Sequence, residues 1–279
     1  MGRSGVGARP KGIMRGWVSA AALVAVLLLA VGPAEARGLV PPAAPAANIP
    51  PVPDFNGPCF EINGMVVRGD CAYTHGVWVM ETAKREQDAL LAIDAARKKE
   101  DLGPLALPRD WKWLTPAEQQ FVLVDLERVD RGLPPIAGLA HALDAVARAG
   151  SARFADPSGA GTRWAADHWA GNFSSDREPA AAMYFYMYED GWGGSLAKTL
   201  NVVCGAADAP GCWGHRFAIL GNWGTDAAMG IYVPASGNGY TTQFFVQGAA
   251  SSLSLYYTWT EALRDGADRP VVKKAAAAA

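Results

Sequence analysis

Beyond residue 36 this sequence has neither a basic stripe nor a long apolar run. Charged residues make up 19% of the 279-residue chain, and the formal net charge is −2. A chain without a basic stripe is a poor binder of nucleic acid, so no nucleic-acid partner is predicted. Past residue 36 no segment approaches about 18 consecutive apolar residues, so none of it is expected to span a membrane. Hydrophobic residues make up 50% of the chain, which is enough for a sizeable folded core.

The first 36 residues have the order of a secretory signal peptide. Basic residues precede an apolar run over residues 17–31, and the small-residue site Ala34-Glu35-Ala36 follows it. We predict cleavage after Ala36, secretion of the product and no stable membrane span after cleavage. An uncleaved membrane anchor is the alternative, but the run is shorter than the ~20 residues that a span needs. Removing four basic residues and Glu35 takes the net charge from −2 to −5.

Composition divides the remaining chain into four segments. Residues 37–58 are rich in Pro and Ala and are expected to form an extended, exposed linker. Residues 59–114 are predicted to form an N-terminal extension with a hairpin and a helix. The main domain is predicted over residues 115–265, and residues 266–279 form a flexible low-complexity tail.

The pattern of apolar residues predicts helices first and strands last. Thr115-Pro116-Ala117-Glu118 is a helix-start signal, with a hydroxyl N-cap, Pro at the first position and an acid three residues on. The predicted helices lie at residues 81–99, 115–131, 139–154 and 180–189, and the predicted strands at 228–233 and 241–247, joined by a turn at 236–239. This order indicates an α+β fold without the βαβ alternation of a nucleotide-binding sheet.

The chain has only four cysteines, at positions 59, 71, 204 and 212. An even number of cysteines in an exported chain favours disulfides, and four cysteines allow three connectivities. Local pairing is the simplest: Cys59 with Cys71, and Cys204 with Cys212. A zinc site is the alternative, but neither pair has the two-residue spacing of a zinc knuckle.

Several motifs in the second half of the chain resemble the CAP superfamily, the secreted domain of cysteine-rich secretory proteins, antigen 5 and pathogenesis-related proteins, and in particular its bacterial SCP-like branch. The similar stretches are the helix from Ala117 to Pro135 with its Gly-Leu-Pro-Pro ending, the helix 143–149, the turn Ala170-Gly171-Asn172, and Gly214-His215-Arg216-Phe217-Ala218-Ile219-Leu220 followed by the strand 228–232. The resemblance implies a three-layer α-β-α sandwich with a small antiparallel sheet in the middle.

The same resemblance implies a cleft that in other members collects two histidines and two glutamates. Here those four positions fall on Gly150, Gly171, Glu189 and His215, so two of the four ligands are glycine. Glycine has no side chain to coordinate a metal. We therefore predict no tightly bound metal and no cofactor.

Two functions from different classes remain open. One is a secreted binding or interaction module for an unidentified glycan, lipid or protein at the cell envelope or outside the cell, with Trp169, Trp192 and Trp213 as candidate binding aromatics. The other is a secreted hydrolase that uses Glu189 and His215 as an acid/base pair, although no G-x-S-x-G elbow supplies a nucleophile. The broken ligand set favours the binding module, with His215 then serving as a hydrogen-bonding residue inside the fold.

Overall fold

We analysed a computed structural model of the chain. It describes residues 42–56, 58–62, 65–68, 71–74, 77–80, 82–194, 201, 203–207, 209–234 and 240–269, and for residues 58–80 only the backbone. The predicted signal peptide, the turn at 236–239 and residues 270–279 of the predicted tail lie outside these residues. Among the residues described, no helix is both long and apolar enough to cross a membrane.

Helices and strands are mixed along the chain, and the predicted α+β class is confirmed. The helices are α1 (Thr82–Lys99), α2 (Pro116–Val129), α3 (His141–Ala152), α4 (Pro179–Tyr184), α5 (Gly214–Leu220) and α6 (Trp259–Arg264). A π-helical turn, Phe185–Glu189, continues α4. The strands are β1 (Pro58–Ile62), β2 (Met65–Arg68), β3 (Cys71–Thr74), β4 (Val77–Met80), β5 (Gly138–Leu139), β6 (Trp169–Ser174), β7 (Ala228–Tyr232), β8 (Thr241–Val246) and β9 (Tyr257–Thr258).

Five strands form one sheet in the order β6-β8-β7-β5-β9. β8 pairs antiparallel with both β6 and β7, but β5 pairs parallel with β7. The sheet is therefore mixed, and the wholly antiparallel sheet expected from the resemblance is wrong. A parallel pair needs a crossover, and the chain supplies one by passing through α3 and α4 between β5 and β7.

Helices cover the central strands on both faces. Side chains alternate along β7 and β8, so that Met229 and Phe245 join the core formed by α2 and α4, while Phe244 and Val246 join a second core under α3. At Gly230 the two layers touch directly, because a Cβ there would overlap the backbone of α3.

The predicted capping box at the start of α2 is present. Thr115 N donates to Glu118 Oε2 at 2.7 Å, and Glu118 N donates to Thr115 Oγ1 at 3.3 Å. These two bonds satisfy backbone donors that the first helical turn leaves unpaired. α2 is consequently fixed at its start before it enters the core.

The Pro-rich segment is not an exposed linker where it is described. It has no regular secondary structure, but Ile49 and Phe55 are buried in the main core. Ile49 N donates to Tyr188 O at 2.8 Å, and Tyr184 Oη donates to Ile49 O at 2.7 Å. The expectation of exposure is wrong because the few apolar side chains between the prolines have a hydrophobic surface on α4 to cover.

The region from residue 58 to residue 80 forms two hairpins where the sequence predicted one. β1 pairs with β2, and β3 pairs with β4, both antiparallel. The side chains of Cys59 and Cys71 lie outside the described residues, so that pairing stays a prediction. The helix α1 then packs its alanines and Ile93 into the main core.

The second predicted disulfide, Cys204–Cys212, is confirmed. It closes a loop with a sequence separation of eight residues. In the chain-entropy model such a loop is worth about 2.5 kcal/mol. We expect the double variant Cys204→Ser/Cys212→Ser to lose about that much free energy of unfolding in denaturant titrations while remaining folded. A variant as stable as the wild type would contradict this.

Candidate functional site

His215 lies in the first turn of α5 and holds three segments together. Its Nδ1 is 2.6 Å from Asp190 Oδ1, and its Nε2 is 3.2 Å from Asp156 Oδ1. Its backbone N–H donates to Asp190 Oδ2 at 2.8 Å. Asn172 of β6 donates through Nδ2 to His215 O at 3.2 Å. Both ring nitrogens are therefore engaged, and the residue tethers α5 to the turn after α4 and to the loop after α3.

The carboxylate beside His215 belongs to Asp190, not to Glu189 as the hydrolase hypothesis required. Consecutive residues at the end of a helical turn point to different sides, so only one of the two can face α5. Asp190 faces α5, is fully buried and accepts two hydrogen bonds from His215. The hypothesis from the sequence therefore named the carboxylate next to the one that bonds His215.

His215 carries a positive charge at neutral pH. Burial by itself would lower its pKa, but the hydrogen bonds and charges of Asp156 and Asp190 outweigh that effect and raise the pKa to about 9. An imidazolium with both N–H groups donated cannot accept a proton from a nucleophile.

The two glycines at the missing ligand positions lie under one residue, Pro157. A Cβ on Gly150 would come within 2.8 Å of Pro157, and a Cβ on Gly171 would overlap the Pro157 carbonyl oxygen. Asp156, the residue before Pro157, reaches His215. Three of the four positions aligned to the CAP ligand set, 150, 171 and 215, thus contact the same two-residue segment.

Glu189 is buried in a separate acidic pocket. One of its carboxylate oxygens, Oε2, has no hydrogen-bond partner within the described residues. Burial, followed by the charges of Asp176 and Asp54, raises the pKa of Glu189 to about 8. Glu189 is therefore largely protonated near neutral pH and hydrogen-bonds Asn56.

Arg85 of α1 is the cation of this acidic pocket. It pairs with Asp176 and Glu178 and donates to Asn56 Oδ1 at 2.7 Å. Its side chain is 7% exposed. The pattern of apolar residues in α1 gave no sign that Arg85 lies on the buried side of the helix.

A groove of about 400 Å³ opens beside His215. Its lining includes Asp156, His168, Gly171, His215, Phe217 and Trp223. Phe217 is 49% exposed, and the side chain of Asp156 is 54% exposed. Neither was singled out from the sequence: Phe217 stands within the Gly214–Leu220 motif, where attention went to His215, and Asp156 stands in a loop without a distinctive motif.

The three candidate aromatics lie outside this lining. Trp213 is buried with its ring over Gly191, where a Cβ would overlap it. Trp169 is half-buried, with its ring 6.0 Å from that of Phe244. Trp192 is half-buried and accepts a backbone hydrogen bond from Asn48.

No group of three or more His, Cys, Asp or Glu side chains is arranged to hold a metal ion within the described part of the chain. The site around His215 brings together one imidazolium and two carboxylates whose facing oxygens already bond it. Its chemistry is charge pairing and hydrogen bonding.

Comparison with known proteins identifies no relative: no family model, no curated protein and no solved structure matches this chain. A function for this chain can therefore be inferred only from the residues around His215 and their geometry. The site has an open groove, a histidine with both ring nitrogens hydrogen-bonded, and exposed polar and aromatic groups.

Proposed function

We propose that this protein is a secreted, CAP-like binding module whose ligand, a glycan of the cell envelope, occupies the groove beside His215. The observation that carries the proposal is that both ring nitrogens of His215 are engaged by Asp190 and Asp156, next to an open groove. The site is thus suited to hold a ligand rather than to transfer a proton.

Two observations support the CAP-like part. Positions 150, 171 and 215, which are far apart in sequence, lie around Asp156 and Pro157. Helices also cover both faces of the central sheet, as an α-β-α sandwich requires. The export signal and the Cys204–Cys212 disulfide both fit an extracytoplasmic protein, because disulfides persist in oxidising compartments.

The groove presents the groups that commonly bind sugars. The exposed ring of Phe217 offers a flat apolar surface for the C–H face of a sugar ring. Asp156 keeps its second carboxylate oxygen available, because only Oδ1 bonds His215. His168 bonds Gln247 through Nδ1 at 2.8 Å, which leaves Nε2 for a hydroxyl group.

The test is binding of the purified protein to cell-envelope polysaccharide fragments by calorimetry. We expect Phe217→Ala to weaken binding about ten-fold, the loss expected for one aromatic contact in a binding site. Leu263→Ala is the matched control, since Leu263 is also exposed, at 44%, but lies on α6. Equal affinities for both variants, or binding to lipid or protein alone, would overturn the glycan assignment.

The hydrolase alternative is tested separately. Wild type and His215→Ala are incubated with ester, peptide and glycoside substrates. We expect no turnover that depends on His215. A hydrolytic rate abolished by His215→Ala would restore the hydrolase as the leading function.

A further inference from the structure

A second cavity, of about 550 Å³, is lined by α3 and by the chain that follows it. Its floor is formed by α3 through Ala145, Val146 and Ala149, and its rim by Arg153 and the loop from Ser158 to Thr162. Neither His215 nor any other residue of the first groove lines it. The cavity is therefore a site separate from the proposed glycan groove.

The only charged side chain in the lining is Arg153. It is exposed, and within the part of the chain that the structure describes it forms no ion pair. The guanidinium groups of Arg148 and Arg163 lie over the rings of Tyr232 and Trp164, at 5.1 and 4.1 Å, and neither residue lines the cavity. No acidic residue among those described lines the cavity, and Asp156, which precedes the rim loop, bonds His215 through Oδ1. The cavity thus offers an unneutralised cation.

The rim loop, Ser158-Gly159-Ala160-Gly161-Thr162, supplies hydrogen-bond donors. Ser158 Oγ accepts from Ala160 N at 3.2 Å, so its hydroxyl proton remains to be donated. The N–H of Gly161 has no acceptor among the described residues, and its φ of +76° is a conformation that favours glycine. Thr162 holds the loop in shape by donating to Gly159 O at 2.7 Å and accepting from Trp164 N at 3.1 Å.

The C-terminal end of α3 repels an anion in the cavity only weakly. Its last carbonyl groups already accept hydrogen bonds, since Gly150 O accepts from Arg153 N at 2.9 Å and Ser151 O from Phe154 N at 3.1 Å. The partial negative charge that a free helix end would present is reduced accordingly.

We infer that this cavity binds a phosphate group, with Arg153 as the charge partner and the Ser158–Thr162 loop as the source of neutral donors. A guanidinium pairs with two phosphate oxygens at once, and glycine-containing loops allow the backbone to approach an anion closely. The apolar floor on α3 suits a phosphate attached to a larger group. A phospholipid headgroup and a soluble phosphate ester share this chemistry.

The probes are inorganic phosphate, followed by nuclear magnetic resonance, and vesicles of phosphatidylcholine with and without phosphatidylglycerol, followed by co-sedimentation. We expect saturable phosphate shifts confined to residues 153–163, and at least a ten-fold loss of affinity in Arg153→Gln. Arg264→Gln is the control, because it removes the same charge from an exposed position on α6.

A second variant tests the site in case Arg153→Gln does not fold. Ala145 is exposed on α3, where glutamate is a good helix former, so Ala145→Glu should fold and repel phosphate from the cavity. Binding of phosphatidylglycerol vesicles would identify a lipid headgroup, and binding of phosphate alone a soluble ester. No saturable shift, or equal weakening in Arg153→Gln and Arg264→Gln, would overturn the site. None of these variants touches the groove beside His215, so the two proposals fail independently.

Discussion

Gly171→Glu, which introduces the glutamate found at this position in the CAP ligand set, is expected to lower the free energy of unfolding by about 3 kcal/mol. The reason is steric: any Cβ at Gly171 overlaps the Pro157 carbonyl oxygen, which is backbone and cannot rotate away. The segment that carries Asp156 and Pro157 must then move, and the bond from Asp156 to His215 is strained or lost. Chemical denaturation of the purified variant measures the loss.

Gly103→Glu is the control, because a Cβ at Gly103 meets nothing within 4 Å and its φ is not positive. It should change stability by no more than about 0.5 kcal/mol. A Gly171→Glu protein that is as stable as the wild type would show that Pro157 does not close this position. If that variant also bound zinc tightly, the argument from the missing ligands would fail as well.

The protein is expected to become less stable as the pH rises from about 5 to 9. Burial raises the pKa of Glu189 to about 8 and that of Glu86 to about 7, from an ordinary value near 4.5. Each folded-state carboxyl holds its proton while the unfolded one has lost it, so its stabilisation is present below pH 4.5 and is lost as the pH rises through the folded pKa. For Glu189 the loss is on the order of 4 kcal/mol.

His215 acts in the same direction at higher pH. Its pKa rises from 6.5 to about 9, despite burial, because Asp156 and Asp190 stabilise the charged form. Its contribution is complete below pH 6.5 and is lost as the pH passes about 9. The two effects overlap, which makes the decline continuous across the range.

Denaturant titrations at pH 5, 7 and 9 measure this decline. Glu189→Gln should flatten it between pH 5 and 8, since glutamine has a similar shape and does not titrate. Asp167→Asn, at an exposed position, should behave as the wild type does. A decline of the same steepness in wild type and Glu189→Gln would show that Glu189 is not its source.

Local patterns were sufficient to predict the helices α1 to α4 and the strands β7 and β8, but not β5, β9 or α6. The capping residues Thr115 and Glu118 marked the start of α2, and the alternating residues of β7 and β8 marked two paired strands. β6 was missed, because its sequence, Trp-Ala-Gly-Asn-Phe-Ser, has neither a regular alternation nor a run of β-branched residues. The resemblance to the CAP superfamily remains a prediction.

The sequence by itself determined the α+β class, the main helices and the local disulfide Cys204–Cys212, because caps, periodicity and short loops act over a few residues. The resemblance to the CAP superfamily also pointed to Gly150, Gly171 and His215 as positions of one cleft. Only the tertiary structure decided what surrounds them: Pro157 over the glycines and Asp190, not Glu189, against His215. These contacts join residues that are 7 to 59 positions apart, or depend on which side of a helical turn faces inward. Which residues meet is set by packing and by the free-energy cost of burying charge, and neither can be read from a local sequence pattern.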